Sequence, residues 1–502
     1  MTFRTIALAV ALALLPGHLA AAAEPELTLA FTDRAGAPAA RAEATLINLD
    51  TGDHLSTDSA GGTATIPATP GRYILYSIVY TGRSEASLLL WPRLEVSGPA
   101  TLALDARLAR PVEVRVPHRS ARVAAAVIIS NIDYTIDGEA RGAIASVSTA
   151  EAPRVSSAQL GSAEPVAGVH SRIKVNLAEP DAAGDFRASP YHYTLQWAQE
   201  GRMWTGLREE VRAADLDTVR ADYATLDGKF DAYTGAFDVG GGVDRSIGVP
   251  ITLPHKRTEF FTKGVAWNAR VCFAPDLTAG QSCLSGKPAS RWNYGPYLPA
   301  ARFIERLDNR IRIIAGLADQ SGHLGLDEGD IVDGRFTLYR DGVKVGETSL
   351  DQPGFDDLPA EPARYRMEFD GSMATLLPGS FHAAWTFESG YAPIGEGMLP
   401  TLNVRFTPKL DNENHAVAGR PLTLPIEVAG GDARAVTVDL SFDAGKTWRP
   451  ATVRPARAGW TTTVTPPADA ADISLRAHAS DADGNAVEQV MTRAIPLRPA
   501  GG

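Results

Sequence analysis

Apolar and polar residues alternate with a period of two through most readable segments of this chain. Tyr365, Met367 and Phe369 alternate with Arg366, Glu368 and Asp370, and Val436, Val438, Leu440 and Phe442 alternate with Thr437, Asp439 and Ser441. That pattern belongs to half-buried strands of antiparallel sheets, with one row of side chains turned to a core and the other to water. Turn sequences separate the strands, among them Arg340-Asp341-Gly342, Asp443-Ala444-Gly445 and Asp483-Gly484-Asn485. The expected fold class is all-β, built as tandem β-sandwiches. One segment reads differently. Leu216, Val219, Tyr223 and Leu226 recur at helical spacing, with Asp217 placed to cap, which predicts one short helix packed on a sheet edge.

Length and composition set the scale. The 502 residues, 44% apolar and 21% charged, suffice for roughly three or four domains of about 100 to 200 residues each. Changes in composition place domains at 24–106, 107–300, 301–406 and 407–498. The second of these carries a glycine hinge at Val239-Gly240-Gly241-Gly242. The net charge of −11, with Lys and Arg dispersed along the chain, argues against a nucleic-acid partner.

Residues 1–23 read as a cleaved signal peptide. Arg4 supplies a short positive region, Ile6 to Leu15 an apolar stretch, and Ala21-Ala22-Ala23 a small-residue cleavage site. The apolar stretch is too short to span a bilayer comfortably, so the expected localisation is secreted, with no membrane association after cleavage. The two cysteines, Cys272 and Cys283, lie close together in the chain. In an exported protein such a pair is expected to form a local disulfide; a thiolate metal site would want further Cys or His nearby.

Resemblances sharpen the picture. Asp33, Gly36, Pro38, Ala44, Asp58, Gly61, Ile66, Pro67, Pro70, Gly71 and Tyr73 give the first domain a pattern that resembles the transthyretin-like, carboxypeptidase-regulatory type of sandwich. A wider set resembles the long non-catalytic region that follows the protease domain of large secreted bacterial subtilases. It includes ARPVEVRVP (109–117), RTEFFTKGVAWNA (257–269), RWNYGPYLP (291–299), TLYRDGVKVGET (337–348), AAWTFESG (383–390) and VDLSFDAGKTWRPATV (438–453). This resemblance covers about four-fifths of the chain in the same order. It implies kinship with protease accessory domains and does not itself imply proteolysis; the last domain is expected to be immunoglobulin-like.

The letters Gly371-Ser372-Met373-Ala374 are similar to the subtilase nucleophile motif, and Asp50-Thr51-Gly52 to its aspartate motif. A triad also needs a histidine to take the serine proton. Subtilases carry it before a glycine, and no histidine here precedes one. Pro378 and Gly379 leave no room for the long helix that the family's serine opens. Ser372 is therefore expected in a hairpin connection and Asp50 in a turn. Neither a Gly-x-Ser-x-Gly elbow nor a His-Glu-x-x-His motif occurs. The reading is a protein with no catalytic residues, although a carboxylate pair assembled only by the fold stays open.

Binding candidates are few. Asp481, Asp483 and Asn485 place oxygens at alternate positions, a weak calcium candidate without the glycine and distant glutamate of a calcium loop. Asp327, Glu328 and Asp330 form a second acidic knot. Ser441 to Trp448 resembles the Asp-box hairpin of sialidase propellers, but occurs once. Trp292, Tyr294 and Tyr297 are placed to stack on a ligand, or else to fill a core. No cofactor is expected. The functional expectation is a secreted accessory protein that binds or presents an extracellular protein or cell-wall polysaccharide. The alternatives are a spacer or stabiliser for a separate secreted protease, and an enzyme of unrecognised type.

Overall fold

A computed structural model describes residues 26–225, 228–239, 248–273, 282–325, 331–350, 353–373, 379–393 and 395–500. The signal region 1–23, the hinge glycines Gly240 to Gly242, and Asp327, Glu328 and Asp330 lie outside these. The described chain is all-β, and its only helical turns are two 3-10 turns, Ala106–Leu108 and Ala213–Asp215.

The expected helix at Leu216 is instead a strand, Leu216–Tyr223, paired antiparallel to His255–Thr262; Leu226 is outside the described residues. Val219, Ala221 and Tyr223 share one face of that strand and pack into the core that Phe261 also enters. The helical spacing of Leu216, Val219 and Tyr223 concealed this period-two row. Partnering by a neighbouring strand outweighs so weak a local preference.

The described strands form six sheets. A three-stranded sheet centred on Glu26–Thr32 covers one face of a seven-stranded sheet that contains Ala42–Asn48, Gly71–Thr81 and Glu85–Val96. A second seven-stranded sheet, containing Arg122–Ile136, Val169–Ala178 and Tyr191–Glu200, covers the other face. Gly71–Thr81 (GRYILYSIVYT) thus lies in a middle layer. Leu75 and Val79 enter one core while Ile74 and Tyr80 enter the other. A strand buried on both faces reads as a nearly continuous apolar run.

The expected boundaries fall inside hydrogen-bonded sheets. Arg110–Arg115, Arg154–Gln159 and Leu207–Glu210, all beyond residue 106, extend the sheet of the first domain. One nine-stranded sheet joins Trp267–Phe273 and Ser282–Gly286 to Arg310–Ala318 across residue 300. In the other nine-stranded sheet, Gly379–Ser389 pairs with Ala486–Arg498 across residue 406. A four-stranded sheet containing Asn403–Phe406 and Leu422–Ala429 packs over the last core.

One turn recurs through these layers. At Asp33, Asp181, Asp319, Asp411 and Asp481 the carboxylate accepts the backbone N–H groups two and four residues on, at 2.8–3.0 Å. The fourth residue of each is left-handed: Gly36, Gly184, Gly322, Asn414 and Gly484. Glycine and asparagine tolerate that conformation best, and the carboxylate satisfies amides the turn would otherwise leave unpaired.

Candidate functional site

The first residues of Trp267–Phe273, the strand Ser282–Gly286, the bulge after Ala301 and the strand Asn403–Phe406 enclose a cleft of about 470 Å³. Its walls are held by side chains acting on backbone. Asn403 Oδ1 accepts from Ala301 N and Asn403 Nδ2 donates to Ala301 O, both at 2.9 Å, so one carboxamide holds both backbone polar groups of one residue where the bulge breaks strand pairing. The Asp319 turn sets the opposite wall. Asp319 Oδ2 lies 2.8 Å from His323 Nδ1, and His323 Nε2 lies 3.1 Å from the carbonyl of Lys287. Gly322 in that turn lies against the Arg405 guanidinium, and a Cβ there would stand 2.6 Å from Nη1.

The electrostatics of the cleft oppose those of the whole chain. Lys287, Arg302 and Arg405 line it, and no carboxylate does so among the described residues. Arg405 Nη2 donates to Glu427 at 2.9 Å, while its Nε has no partner. Lys287 and Arg302 are exposed. Asn268 borders the same cleft, is only 3% exposed, and neither Oδ1 nor Nδ2 finds a hydrogen-bond partner. An unpaired buried carboxamide costs about 1–3 kcal/mol for each orphaned group.

The aromatic residues expected to stack on a ligand are buried instead. Trp292, Tyr294 and Tyr297 are each 1% exposed. Trp292 lies flat on His323 at 3.5 Å and faces Tyr223 at 6.0 Å, so neither ring face is free. Tyr297 OH donates to Asn293 O at 2.8 Å, and Arg291 covers the Tyr294 ring at 3.7 Å. These rings fill a junction between sheets, where the Tyr294 and Tyr297 hydroxyls find partners while Trp292 Nε1 has none.

A buried polar cluster adjoins them. Arg257 Nη2 reaches Glu259 and Thr234 at 2.8 Å and His192 Nδ1 at 3.1 Å, and Tyr223 OH bonds to Glu259. Burial pushes the Glu259 carboxyl up, but the Arg257 charge, the nearby His192 and the bond from Tyr223 outweigh it and hold it at about 2. Burial, then the Arg257 charge, lowers His192 to about 4. The cluster is enclosed and its charges are matched internally, which suits a structural role.

Cys272 and Cys283 form a disulfide across paired positions of neighbouring strands, as expected. The calcium candidates are occupied by their own turn. Asp481 Oδ1 accepts from the Asp483 and Asn485 amides and Oδ2 from Asn485 Nδ2 at 2.8 Å. No group of three potential metal ligands occurs among the described residues. The Asp-box letters also form a self-satisfied turn. Bonds from Ser441 and Thr447 pull the Asp443 carboxyl far below its usual range.

Ser372 lies in the strand Ala363–Met373, not in a hairpin connection, and faces Ser380. Asp370 is two residues earlier on the same face, and His382 stands opposite it with Nδ1 2.7 Å from Asp370 Oδ1. No hydrogen bond joins Ser372 to that ring. Asp50, in the turn before His54–Ser59, bonds to Arg72 N and Nε at 3.0 Å.

The cleft residues were not singled out from the sequence. Its signal there is slight: Asn268 is an uncharged polar residue among the apolar positions of VAWNARV. No protein family matches the chain, and no curated protein is similar to it in sequence.

Proposed function

We propose that this chain is an exported, non-catalytic accessory protein that binds or presents an extracellular macromolecule, in kinship with the accessory regions of secreted subtilases. The observation that carries this reading is the cleft lined by Lys287, Arg302 and Arg405. Binding sites combine a preformed concavity with a few convergent polar groups, and this cleft has both. The disulfide suits an oxidising compartment. No helix among the described residues is long and apolar enough to cross a membrane.

The test is retention of the mature protein on insoluble cell wall and on immobilised denatured protein. Retention on at least one matrix, lost when Lys287 and Arg302 are both replaced by glutamate, supports the reading. Indifference to both matrices sinks it.

A second reading, an enzyme of unrecognised type, is favoured by Ser372 beside the Asp370–His382 pair. Casein or ester hydrolysis abolished by Ser372→Ala would establish it over the binding reading.

A further inference from the structure

We infer that the strand Glu139–Ser148 is an open edge that receives an extended, alternately apolar polypeptide segment as an added strand. This docking place goes beyond the cleft and shares no residue with it. The strand ends a seven-stranded sheet and pairs on one side only, with Arg122–Ile136. Its register fixes which backbone groups are spent. Asp137 and Gly138 both have positive φ and close a two-residue hairpin on the pair Ile136 and Glu139. The closing pair of such a hairpin bonds inward, and the pattern then alternates along the ladder. The odd-numbered residues therefore turn N–H and C=O toward Arg122–Ile136, while Ala140, Gly142, Ile144 and Ser146 turn theirs to the open side. Ser148, next in the outward row, agrees with this phase, because its N–H goes to Glu151 Oε2 at 2.8 Å and not to the neighbouring strand.

Proteins blunt such edges by keeping them short or by placing proline, lysine or a bulge in them. The other strands that end a sheet among the described residues follow that rule. None exceeds seven residues. Val249–Leu253 contains Pro250, and Val343–Ser349 carries Lys344 and pairs through a bulge. Glu139–Ser148 has ten residues with no proline, lysine or bulge, and Glu139 to Gly142 are exposed. Its inner face says what an added strand should carry. Ala143, Ala145 and Val147 enter a core against which Tyr76 and Ile78 pack while staying half-exposed. Backbone bonds along the edge supply the grip, and apolar side chains on alternate residues of the ligand suit that half-exposed rim. A second copy fits worse. Pairing all four outward residues about a two-fold axis at Ala143 sets Glu139 opposite Val147 of the other copy and Arg141 opposite its Ala145, both at 0% exposure in the core. Two chains of net charge −11 also repel.

The experiment uses the full mature chain and a fluorescein-labelled peptide of alternating threonine and valine ended by lysines, read by fluorescence anisotropy. An analogue N-methylated at every backbone amide is the control. The unmodified peptide is expected to bind at least about tenfold more tightly than the analogue, since only it can make the strand bonds. Gly142→Pro removes an outward N–H and leaves the ladder with Arg122–Ile136 whole. A Cβ at that position meets nothing closer than Asp133 Oδ1 at 3.8 Å. This variant should weaken the peptide by at least about tenfold, while Gly142→Ala, which keeps the N–H, should not. Hydrogen exchange on the unsubstituted chain needs no variant: saturating peptide should protect the amides of Ala140, Gly142, Ile144 and Ser146. Equal binding of peptide and analogue, full binding by Gly142→Pro, or no added protection within 139–148 overturns the inference. A concentration-dependent dimer that Gly142→Pro abolishes would give the edge to a second copy and overturn it too. The Lys287 and Arg302 double glutamate variant should bind the peptide as the parent does; loss of binding there would move the peptide to the cleft, sinking the edge while the proposed function stands.

Discussion

Acid should weaken this protein through one buried imidazole before it reaches any carboxylate. His192 is 2% exposed, accepts from Arg257 Nη2 at 3.1 Å, and is held at about 4 against an ordinary 6.5 by burial and then by the Arg257 charge. Between those limits the unfolded chain takes up a proton that the folded one refuses. Stability is therefore complete above pH 6.5 and is lost as pH falls toward 4. At pH 4.5 the accumulated loss from this group is about 2.5 kcal/mol, at about 1.4 kcal/mol per tenfold in proton affinity. Glu259, at about 2 against 4.5, takes over only below that window. A chain with several cores need not unfold in one step. The suitable readout is therefore hydrogen exchange at the amides of His255–Thr262, measured from pH 7.5 to 4.5 after correction for the intrinsic rate. His192→Gln should be less sensitive to pH over that window by about 2.5 kcal/mol. An identical pH slope in the variant would refute the assignment, as would a wild-type protein whose local stability is flat between pH 6.5 and 4.5.

Three other outcomes are expected. Arg257→Leu leaves the Glu259 carboxylate buried without its guanidinium and should cost about 3–5 kcal/mol in urea unfolding, much of it recovered by adding Glu259→Leu. Asn403→Ala removes the partners of both the Ala301 N–H and the Ala301 carbonyl and should cost about 1–3 kcal/mol, seen as a lower unfolding midpoint in urea. Opening the Cys272–Cys283 disulfide with a reductant should lower stability by about 3 kcal/mol on the chain-entropy estimate for so short a loop, observed as a fall in melting temperature.

The strands were legible because their chemistry is local. Tyr365, Met367 and Phe369 are all at 0% exposure while Arg366, Glu368 and Asp370 face outward, as their alternation requires. The turns at Asp341-Gly342 and Ala444-Gly445 show the positive φ angles their sequences call for. Sheet membership was less legible, because hydrogen bonding between strands over a hundred residues apart leaves no mark on either one. The Trp292 cluster shows a second limit. An aromatic run looks the same whether it lines a groove or a junction, and only its buried partners, His323 and Asn293, decide. Asn268 marks a third: one polar residue in an apolar strand does not announce whether the fold will supply its partner.

The turn at Asp411 has a consequence for how the molecule is made. Asn414 Nδ2 donates to the carbonyls of Thr225 and Asn293, its Oδ1 accepts from Gly295 N, and the carbonyl of Asn412 accepts from Thr225 N. Those central groups are synthesised first and must wait for a short peptide more than a hundred residues downstream to reach them. Until that peptide emerges, the backbone groups of Thr225, Asn293 and Gly295 lack these partners. A polypeptide halted before residue 411 would be left with an unsealed middle rather than a shorter working version. Late residues thus supply the partners of groups laid down early in the chain.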